Sequence, residues 1–299
     1  MPSPATPQPE RVEADQKEVC AHPQIDALME QHRFVFLGGL HRSGTSLTFR
    51  CLREHPEISG FVNTGVPEDE GQHLQSVFPK AFKYGGPAKF GFASAMSLDE
   101  TSSFITPDNK RQLFEEWSRY WDMRKPYLLE KSPPNLIKSR FLQAMFPRSS
   151  FIFILRHPAA VTLATRKWRP RMRLSRILEH WLVCHERMRS DLKHLDRALV
   201  IHYEDFVAEP ERVLGGIYKF IGVDTVPTSE EIRGNVNEKY FTKWREESRG
   251  LMNKLRMWQA VRRYEDRFRS FGYSLSDLSD PASSGRVDVG EDMLNGSVS

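Results

Sequence analysis

Phe34–Leu47 reads FVFLGGLHRSGTSL, and this stretch decides the fold that we expect for the chain. Its first four residues are apolar and β-prone, and two glycines end the run. Arg42–Ser46 then supplies closely spaced backbone N–H groups and hydroxyls, and apolar residues at helical spacing continue to Glu54. A loop that opens a helix presents unpaired N–H groups and the positive end of the helix dipole. The stretch therefore predicts a strand, a phosphate-binding loop and a helix.

The loop nearly fits the nucleotide-binding pattern G-x-x-x-x-G-K-[ST]. Gly39, Gly44 and Ser46 occupy the expected positions, whereas Thr45 stands where the pattern has lysine. Because that lysine contacts the β and γ phosphates of a nucleoside triphosphate, its absence argues against ATP or GTP. Arg42 keeps one cation in the loop. Two readings stay open, a phosphate-bearing ligand other than a triphosphate and a turn that binds nothing.

Composition and charge exclude several classes of function. The chain has 299 residues, 39% of them hydrophobic and 27% charged, and no apolar run is long enough to span a membrane. A net charge of +4 suits an anionic small ligand but is too small to indicate nucleic-acid binding. Three widely spaced cysteines suggest neither a disulfide framework nor a metal site. With no secretory signal visible, we expect a cytoplasmic protein that needs no metal, and its oligomeric state stays open.

The chain is expected to form one domain between two tails. Residues 1–32 are mostly polar and rich in proline, which predicts disorder apart from a short helix over 23–32. From about Leu275 the chain is rich in Ser, Asp and Gly, which predicts a flexible tail over 276–299. The region between them, 33–275, has no visible linker or internal repeat and is predicted to be a single domain.

Strands alternate with helices along this domain. The unbroken apolar run Phe151–Leu155 suits a strand buried on both faces, as in a parallel sheet. The alternation predicts an α/β fold, a three-layer parallel β-sheet flanked by helices. Besides the first strand, strands are predicted at 58–63, at 126–134 with a polar turn at its end, and at 151–155 and 198–202. Helices are predicted at 47–54, 107–122, 135–145, 159–164, 172–195, within 207–221 from about Pro210, and at 251–271.

Polar groups follow four of the predicted strands. They are Arg42–Ser46, Glu130-Lys131-Ser132, Arg156 and Tyr203-Glu204-Asp205. Because ligands bind at the carboxyl ends of the strands in such sheets, we expect these groups to form one anion-binding set. The three carboxylates of Pro67–His73 are either a solvated turn or the source of a general base.

Together these motifs resemble those of the sulfotransferases that use 3′-phosphoadenosine-5′-phosphosulfate (PAPS), in the tyrosylprotein and bacterial-type branches. The resemblance extends from about Phe34 to Phe271. It implies the P-loop-like sulfotransferase fold and a loop that holds the 5′-phosphosulfate. The loop residues to which this role is carried over are His41, Arg42, Ser43, Gly44, Thr45 and Ser46.

The resemblance also assigns ligands at the other strand ends. Arg156, in Leu155-Arg156-His157-Pro158, corresponds to the arginine that pairs with the 3′-phosphate, and Tyr203 to the tyrosine near the adenine. Asn237 and Lys243 fall in a later segment that contacts the nucleotide. In one departure, the family's serine eight residues after the arginine is Ala164 here. That contact is either lost or supplied by a neighbouring threonine, Thr162 or Thr165.

The implied reaction is transfer of a sulfuryl group from PAPS to a hydroxyl acceptor, of the EC 2.8.2 type, with no metal. Arg42 and Lys131 would stabilise the transferred group. Glu68 is the first choice for the base, because the resembling branches place a glutamate after the helix that follows the loop. The stretch from Gly60 to Gly71 is longer than in the tyrosylprotein branch, so Glu70 and His73 stay open as the second and third choices. The acceptor stays open among small molecules, saccharides and peptides. A P-loop kinase-like phosphotransferase and a non-catalytic nucleotide-binding module are the competing hypotheses.

Overall fold

A computed structural model describes residues 23–247 and 251–278. The strands are β1 (Arg33–Gly39), β2 (Ile58–Gly60), β3 (Tyr127–Lys131), β4 (Ser149–Leu155) and β5 (Ala198–His202). They form one five-stranded sheet in the order β2-β3-β1-β4-β5, and every neighbouring pair is parallel. The predicted parallel α/β sheet is confirmed.

Helices cover both faces of this sheet and make it the middle of three layers. The first, α1, spans residues 23–31, which agrees with the predicted lead-in helix. The others are α2 (Thr45–Arg53), α3 (Pro107–Ser118), α4 (Ser139–Met145), α5 (Pro158–Arg166), α6 (Leu174–Asp191), α7 (Tyr203–Ala208), α8 (Pro210–Ile221), α9 (Glu238–Glu247) and α10 (Leu251–Arg269). Short 3₁₀ helices lie at Pro67–Asp69, Gly71–His73, Ala81–Tyr84, Phe90–Phe92, Ser94–Met96, Pro133–Ile137 and Leu192–His194.

The core is centred on β1 and β4, whose apolar runs are buried on both faces. Phe36 pairs with Phe151 across the two strands, and their ring centroids lie 5.5 Å apart. Phe34 packs against Phe146 with a centroid distance of 4.4 Å. Since replacing a buried phenylalanine with alanine costs about 3–5 kcal/mol, these rings fix the two strands that carry the site.

Several predicted elements differ from the structure in their bounds. The predicted helix over 135–145 is a 3₁₀ turn followed by α4, because Lys138 leaves the helical region with a φ of −135°. The helix predicted from about Pro210 to Ile221 is present as α8, and the short helix α7 (Tyr203–Ala208), which was not predicted, precedes it. The strand predicted at 58–63 ends at Gly60. The tails predicted over 1–22 and 279–299 lie outside the described residues.

The chain order creates a crevice beside the end of β1. From β1 the chain passes through α2 to β2 and β3 on one side, and then crosses to β4 and β5 on the other. In open parallel sheets, ligands bind outside the carboxyl ends of the strands where the strand order reverses. The loop after β1 therefore occupies the position in this sheet that is best suited to a ligand. None of the helices described is long and apolar enough to cross a membrane.

Candidate active site

The loop after β1 is shaped around Gly44, which precedes α2. Gly44 has a φ of 105°, and a Cβ at this position would lie 2.5 Å from a ring carbon of Tyr203. Arg42 also has a positive φ, 71°. Gly44 supplies no side-chain cap to α2, so the first N–H groups of this helix are available to an external anion. The predicted phosphate-binding loop therefore has the necessary backbone geometry.

Arg156 follows β4 and reaches the same loop from the neighbouring strand. Only 6% of its surface is exposed. Its Nη1 donates to the Arg42 carbonyl oxygen at 2.8 Å, and its Nε donates to Asn237 Oδ1 at 2.9 Å. Its Cζ lies 4.1 Å from the centroid of the Tyr203 ring. Burial lowers the pKa of Arg156, and Tyr203 opposes this shift.

Two buried donors at this loop fit a phosphate-bearing ligand. Arg156 Nη2 and Ser43 Oγ are both buried and lack a hydrogen-bond partner within the part of the chain that the structure describes. Leaving a buried donor unpaired costs about 1–3 kcal/mol, and more for a charged group. A phosphate group offers several anionic oxygens as partners for such donors, and an arginine fork suits phosphate especially well.

A hydrogen-bonded scaffold stands behind Arg156. Asn237 Nδ2 donates to Glu204 Oε1 at 2.7 Å, while its Oδ1 accepts from Arg156. The backbone N–H of His157 also donates to Glu204 Oε1, at 3.0 Å. Asn237 thus uses both ends of its amide to join Arg156 to Glu204. Its predicted contact with the nucleotide itself stays a prediction.

Lys131 ends β3 on the other side of β1, and its side chain is fully buried. Its Nζ donates to the Glu68 carbonyl oxygen at 2.6 Å and lies 3.6 Å from Glu70 Oε1. Burial lowers the pKa of Lys131, and the negative charges of Glu70 and Glu68 oppose this shift. A lysine therefore stands at this strand end with a carboxylate directly beside it.

The two candidate carboxylates on the preceding loop have different surroundings. Glu70 is buried, its Oε2 accepts from Gln72 Nε2 at 2.6 Å, and burial raises its pKa, although Lys131 opposes the shift. Glu68 is exposed, and its Oε2 accepts from Ser46 Oγ at 2.8 Å. The loop thus brings the Glu70 carboxylate to Lys131 and turns the Glu68 carboxylate toward the start of α2.

The motifs that carry these side chains belong to a known family of proteins. The sequence model of the Sulfotransferase family matches residues 35–227, about two thirds of the chain. The chain belongs to this family. The expected resemblance to sulfotransferases is therefore confirmed, and the matched span of this sulfotransferase-family chain includes the loop after β1, Lys131, Arg156 and Tyr203.

The chain aligns with only part of the length of each relative. Protein-tyrosine sulfotransferase 2 of Gallus gallus is 28% identical over 220 residues, which make up 67% of this chain and 54% of that protein. Protein-tyrosine sulfotransferase 1 of Danio rerio is 26% identical over 219 residues, or 67% and 57%. This sulfotransferase-family chain thus spans about half the length of the curated relatives it matches. Among solved structures, sulfotransferase STF1 from Mycobacterium tuberculosis H37Rv aligns with a TM-score of 0.46 and 16% identity, covering 77% of this chain and 75% of that one.

The charge of Lys131 acts on two of the candidate histidines, His41 and His73. Burial, together with the nearby charge of Lys131, lowers the pKa of His41 to about 3. Burial also lowers the pKa of His73, and Lys80 and Lys131 add to the shift. The His73 ring stacks on Phe82 with a centroid distance of 6.1 Å. Neither ring is cationic at neutral pH, so His41 contributes no positive charge to the loop.

The sequence analysis missed two aromatic neighbours of the loop. The Arg42 Cζ lies 5.2 Å from the centroid of the Trp168 ring, which belongs to the turn after α5 and is 51% exposed. The Arg156 Cζ lies 5.6 Å from the centroid of the Tyr240 ring on α9. Tyr240 lies between Asn237 and Lys243, in the segment that the resemblance assigns to the nucleotide, although the residue itself was not singled out. No motif marks Trp168, and its only signal was its position within a strongly basic stretch, Arg166–Arg176.

Three residues that were named as candidate nucleotide contacts have other partners or surroundings in the structure. Lys243 is 53% exposed on α9, and its Nζ lies 4.0 Å from Glu247 Oε1 on the same helix. Thr165 lines a small, mostly apolar cavity that also includes His41. Thr162 Oγ1 is buried and has no hydrogen-bond partner in residues 23–247 and 251–278. The structure gives neither threonine a contact with Arg156, and the nucleotide contact of Lys243 stays a prediction.

The loop that carries Glu70 is fastened to the end of β3 by buried hydrogen bonds. Ser132 Oγ accepts from the Gln72 backbone N–H at 2.9 Å and donates to Glu130 Oε1 at 2.6 Å. Asn135 Nδ2 donates to Glu130 Oε2 at 2.5 Å. Burial raises the pKa of Glu130 to about 7, although Ser132 and Asn135 oppose the shift. These bonds hold the loop that carries Glu70 against the sheet.

The described residues contain no group of three or more metal-binding side chains.

Proposed function

We propose that this chain transfers a sulfuryl group from PAPS to a hydroxyl acceptor and releases adenosine 3′,5′-bisphosphate (PAP). The observation that carries the proposal is the buried Nη2 of Arg156, which has no hydrogen-bond partner among the described residues. Arg156 follows β4 and lies beside the loop that follows the neighbouring strand, β1, and opens α2. PAP differs from an ordinary adenosine 5′-phosphate by a second phosphate on the ribose. A buried arginine beside the loop gives that second phosphate a partner of its own.

The residues at the end of β3 suit the transfer step. Glu70 accepts the proton of the acceptor hydroxyl, whose oxygen forms the new bond to sulfur as the bond from sulfur to the 5′-phosphate oxygen breaks. Lys131 and Arg42 stabilise the charge on the oxygens of the transferred and departing groups. Among the three candidate bases we propose Glu70, because its carboxylate lies 3.6 Å from Lys131 Nζ and its pKa is raised by burial.

Glu68 and His73 are the alternatives for the base. The Glu68 carboxylate accepts from Ser46 Oγ and is exposed, so it stands at the loop rather than beside Lys131. His73 Nε2 lies 3.7 Å from Glu70 Oε2, so in our proposal it orients Glu70.

For the acceptor we propose only a hydroxyl compound. The protein-tyrosine sulfotransferases named above make a tyrosine hydroxyl one candidate, beside saccharides and small molecules. Cytoplasmic location and the absence of a metal stay predictions.

Calorimetric titration with two nucleotides tests the proposal. Arg156→Ala is expected to weaken PAP roughly ten- to hundredfold, because a hydrogen bond to a charged group contributes about 1.5–3 kcal/mol. Binding of adenosine 5′-phosphate should change by less than about threefold. Arg187→Ala removes an arginine that pairs with Asp99 and Asp191, away from the loop, and is the matched control.

Three results would contradict the proposal. If Arg156→Ala lowers the affinities for PAP and adenosine 5′-phosphate equally, Arg156 does not bind the 3′-phosphate. Tight binding of ATP with Mg²⁺ that displaces PAP would favour a kinase-like phosphotransferase. If PAP binds normally but no sulfuryl group passes from labelled PAPS to any class of hydroxyl acceptor, the chain is a non-catalytic nucleotide-binding module.

A further inference from the structure

Glu204 is the point where three separate parts of the chain meet. It lies in the first turn of α7, directly after β5, and its carboxylate accepts three hydrogen bonds. Two reach Oε1, from the His157 backbone N–H at 3.0 Å and from Asn237 Nδ2 at 2.7 Å. The third reaches Oε2, from the Tyr273 hydroxyl at 3.0 Å. Three donors on two oxygens hold this carboxylate in one orientation.

These bonds connect Glu204 to Arg156 through a single side chain. Asn237 presents its carbonyl oxygen to Arg156 Nε and its amide nitrogen to Glu204, so the orientation of its amide is fixed from both ends. Rotating the amide would bring two donors face to face at Arg156. Burial lowers the pKa of Arg156, and the charge of Glu204 opposes this shift. Glu204 therefore holds the residue that orients the guanidinium group, and after Tyr203 it adds to the groups that oppose the effect of burial on Arg156.

The other end of the network lies in the segment after α10. Tyr273 donates to Glu204 and accepts from His202 Nδ1 at 2.8 Å. The neighbouring Ser274 carbonyl oxygen accepts from His157 Nε2 at 3.0 Å. Burial lowers the pKa of His157 to about 3, so this ring is neutral and keeps one N–H. Tyr273 and Ser274 lie well beyond the span 35–227 that the family shares.

We propose that Glu204 is a positioning residue for recognition of the nucleotide's 3′-phosphate and that Tyr273 anchors it, which makes the segment after α10 a part of the nucleotide site. This inference rests on the proposed function. Arg156 touches the phosphate, whereas Glu204 and Tyr273 act on Arg156 through Asn237. An arginine has many rotamers, and holding it in one of them before the ligand arrives removes an entropic cost of binding.

Nucleotide affinities of two variants test this role. Glu204→Gln keeps the size of the side chain but replaces one accepting oxygen with a donor, and it should weaken PAP roughly tenfold. Tyr273→Phe removes one hydroxyl and should weaken PAP by about three- to fivefold. Adenosine 5′-phosphate should bind both variants as it binds the wild type, which a general loss of stability would not produce. Tyr264→Phe alters a buried tyrosine of α10 in the same way and is the matched control.

A second measurement reads the position of Arg156 without any nucleotide. In the wild-type protein, Arg156 Nε–H is buried and bonded to Asn237, so its NMR signal should exchange slowly with water. In Glu204→Gln and Tyr273→Phe, but not in Tyr264→Phe, we expect exchange at least fivefold faster. Unchanged exchange, or equal losses for PAP and adenosine 5′-phosphate, would overturn the inference. If wild-type protein has no preference for PAP, the proposed function fails, and the exchange rates still decide whether Glu204 orients Arg156.

Discussion

The two ends of the site hold their cations in different ways. Arg156, at the end of β4, has its Nε and Nη1 bonded to neutral oxygens and its Nη2 buried without a partner among the described residues. Lys131, at the end of β3, is already in contact with the Glu68 carbonyl oxygen and the Glu70 carboxylate. Arg156 thus keeps one nitrogen that contacts no other described group, whereas the single nitrogen of Lys131 already contacts a carbonyl oxygen and a carboxylate of its own chain.

This difference indicates which end binds and which end reacts. An oriented cation with an open donor suits a group that stays in place through the reaction, such as the 3′-phosphate. A lysine beside a carboxylate of raised pKa suits an end where a proton moves and charge develops. We therefore expect changes at Lys131 and Glu70 to lower kcat, and changes at Arg156 to lower affinity.

The largest expected effect is on the rate constant of Glu70→Gln. Loss of a general base lowers the rate by roughly 10²–10⁴-fold, and the isosteric amide keeps the packing of this buried side chain. PAP affinity should stay within about threefold of the wild type, because the nucleotide end is untouched. Single-turnover measurements with PAPS and an accepting hydroxyl compound check the rate, and calorimetry checks the affinity.

Glu68→Gln is the matched control, since it makes the same chemical change two residues away on the exposed side of the loop. We expect its rate to fall less than tenfold, because an amide oxygen still accepts from Ser46 Oγ. Should Glu68→Gln lose more than Glu70→Gln, the base is Glu68 and our assignment is wrong.

The pH dependence sharpens the same contrast. Burial raises the pKa of Glu70, so its carboxylate gains a proton at a higher pH than an ordinary glutamate. Since the base must be ionised to act, kcat should fall as the pH falls through that raised pKa, by about tenfold per pH unit below it. Affinity for PAP should not follow this limb. A pH profile of kcat in wild type and Glu70→Gln checks this, and an unchanged acid limb in the variant would assign it to another group.

The elements that the sequence predicted well are those encoded by contiguous residues. The loop from Arg42 to Ser46 and the arginine directly after β4 each follow a strand that an apolar run marks plainly. A parallel sheet then brings strand ends to one edge, so Arg156 and the loop had to meet. The position of Lys131 at this edge could be predicted for the same reason, because it ends β3.

What the sequence could not predict depends on backbone geometry between the motifs. The choice between Glu68 and Glu70 depends on positive φ values of 56° and 49° at Glu68 and Asp69, which turn the chain within two residues. No residue preference signals that turn, because glutamate seldom adopts a positive φ. Trp168 reaches Arg42 from a turn that no motif marks. The link from Tyr273 to Glu204 joins residues that are 69 apart in the chain.

The smallest effect is expected for Lys243→Ala. α9 buries Tyr240, Phe241 and Trp244, and this helical phase leaves Lys243 on the exposed side, near Glu247. An exposed ion pair within one helix contributes about 0.3–0.5 kcal/mol, so PAP affinity and kcat should both stay within about twofold of the wild type. Calorimetry and single-turnover rates measured beside Arg156→Ala provide the scale. A tenfold loss of PAP affinity would instead mean that Lys243 reaches the nucleotide when it binds, and the nucleotide end would then be less preformed than the comparison with Lys131 implies.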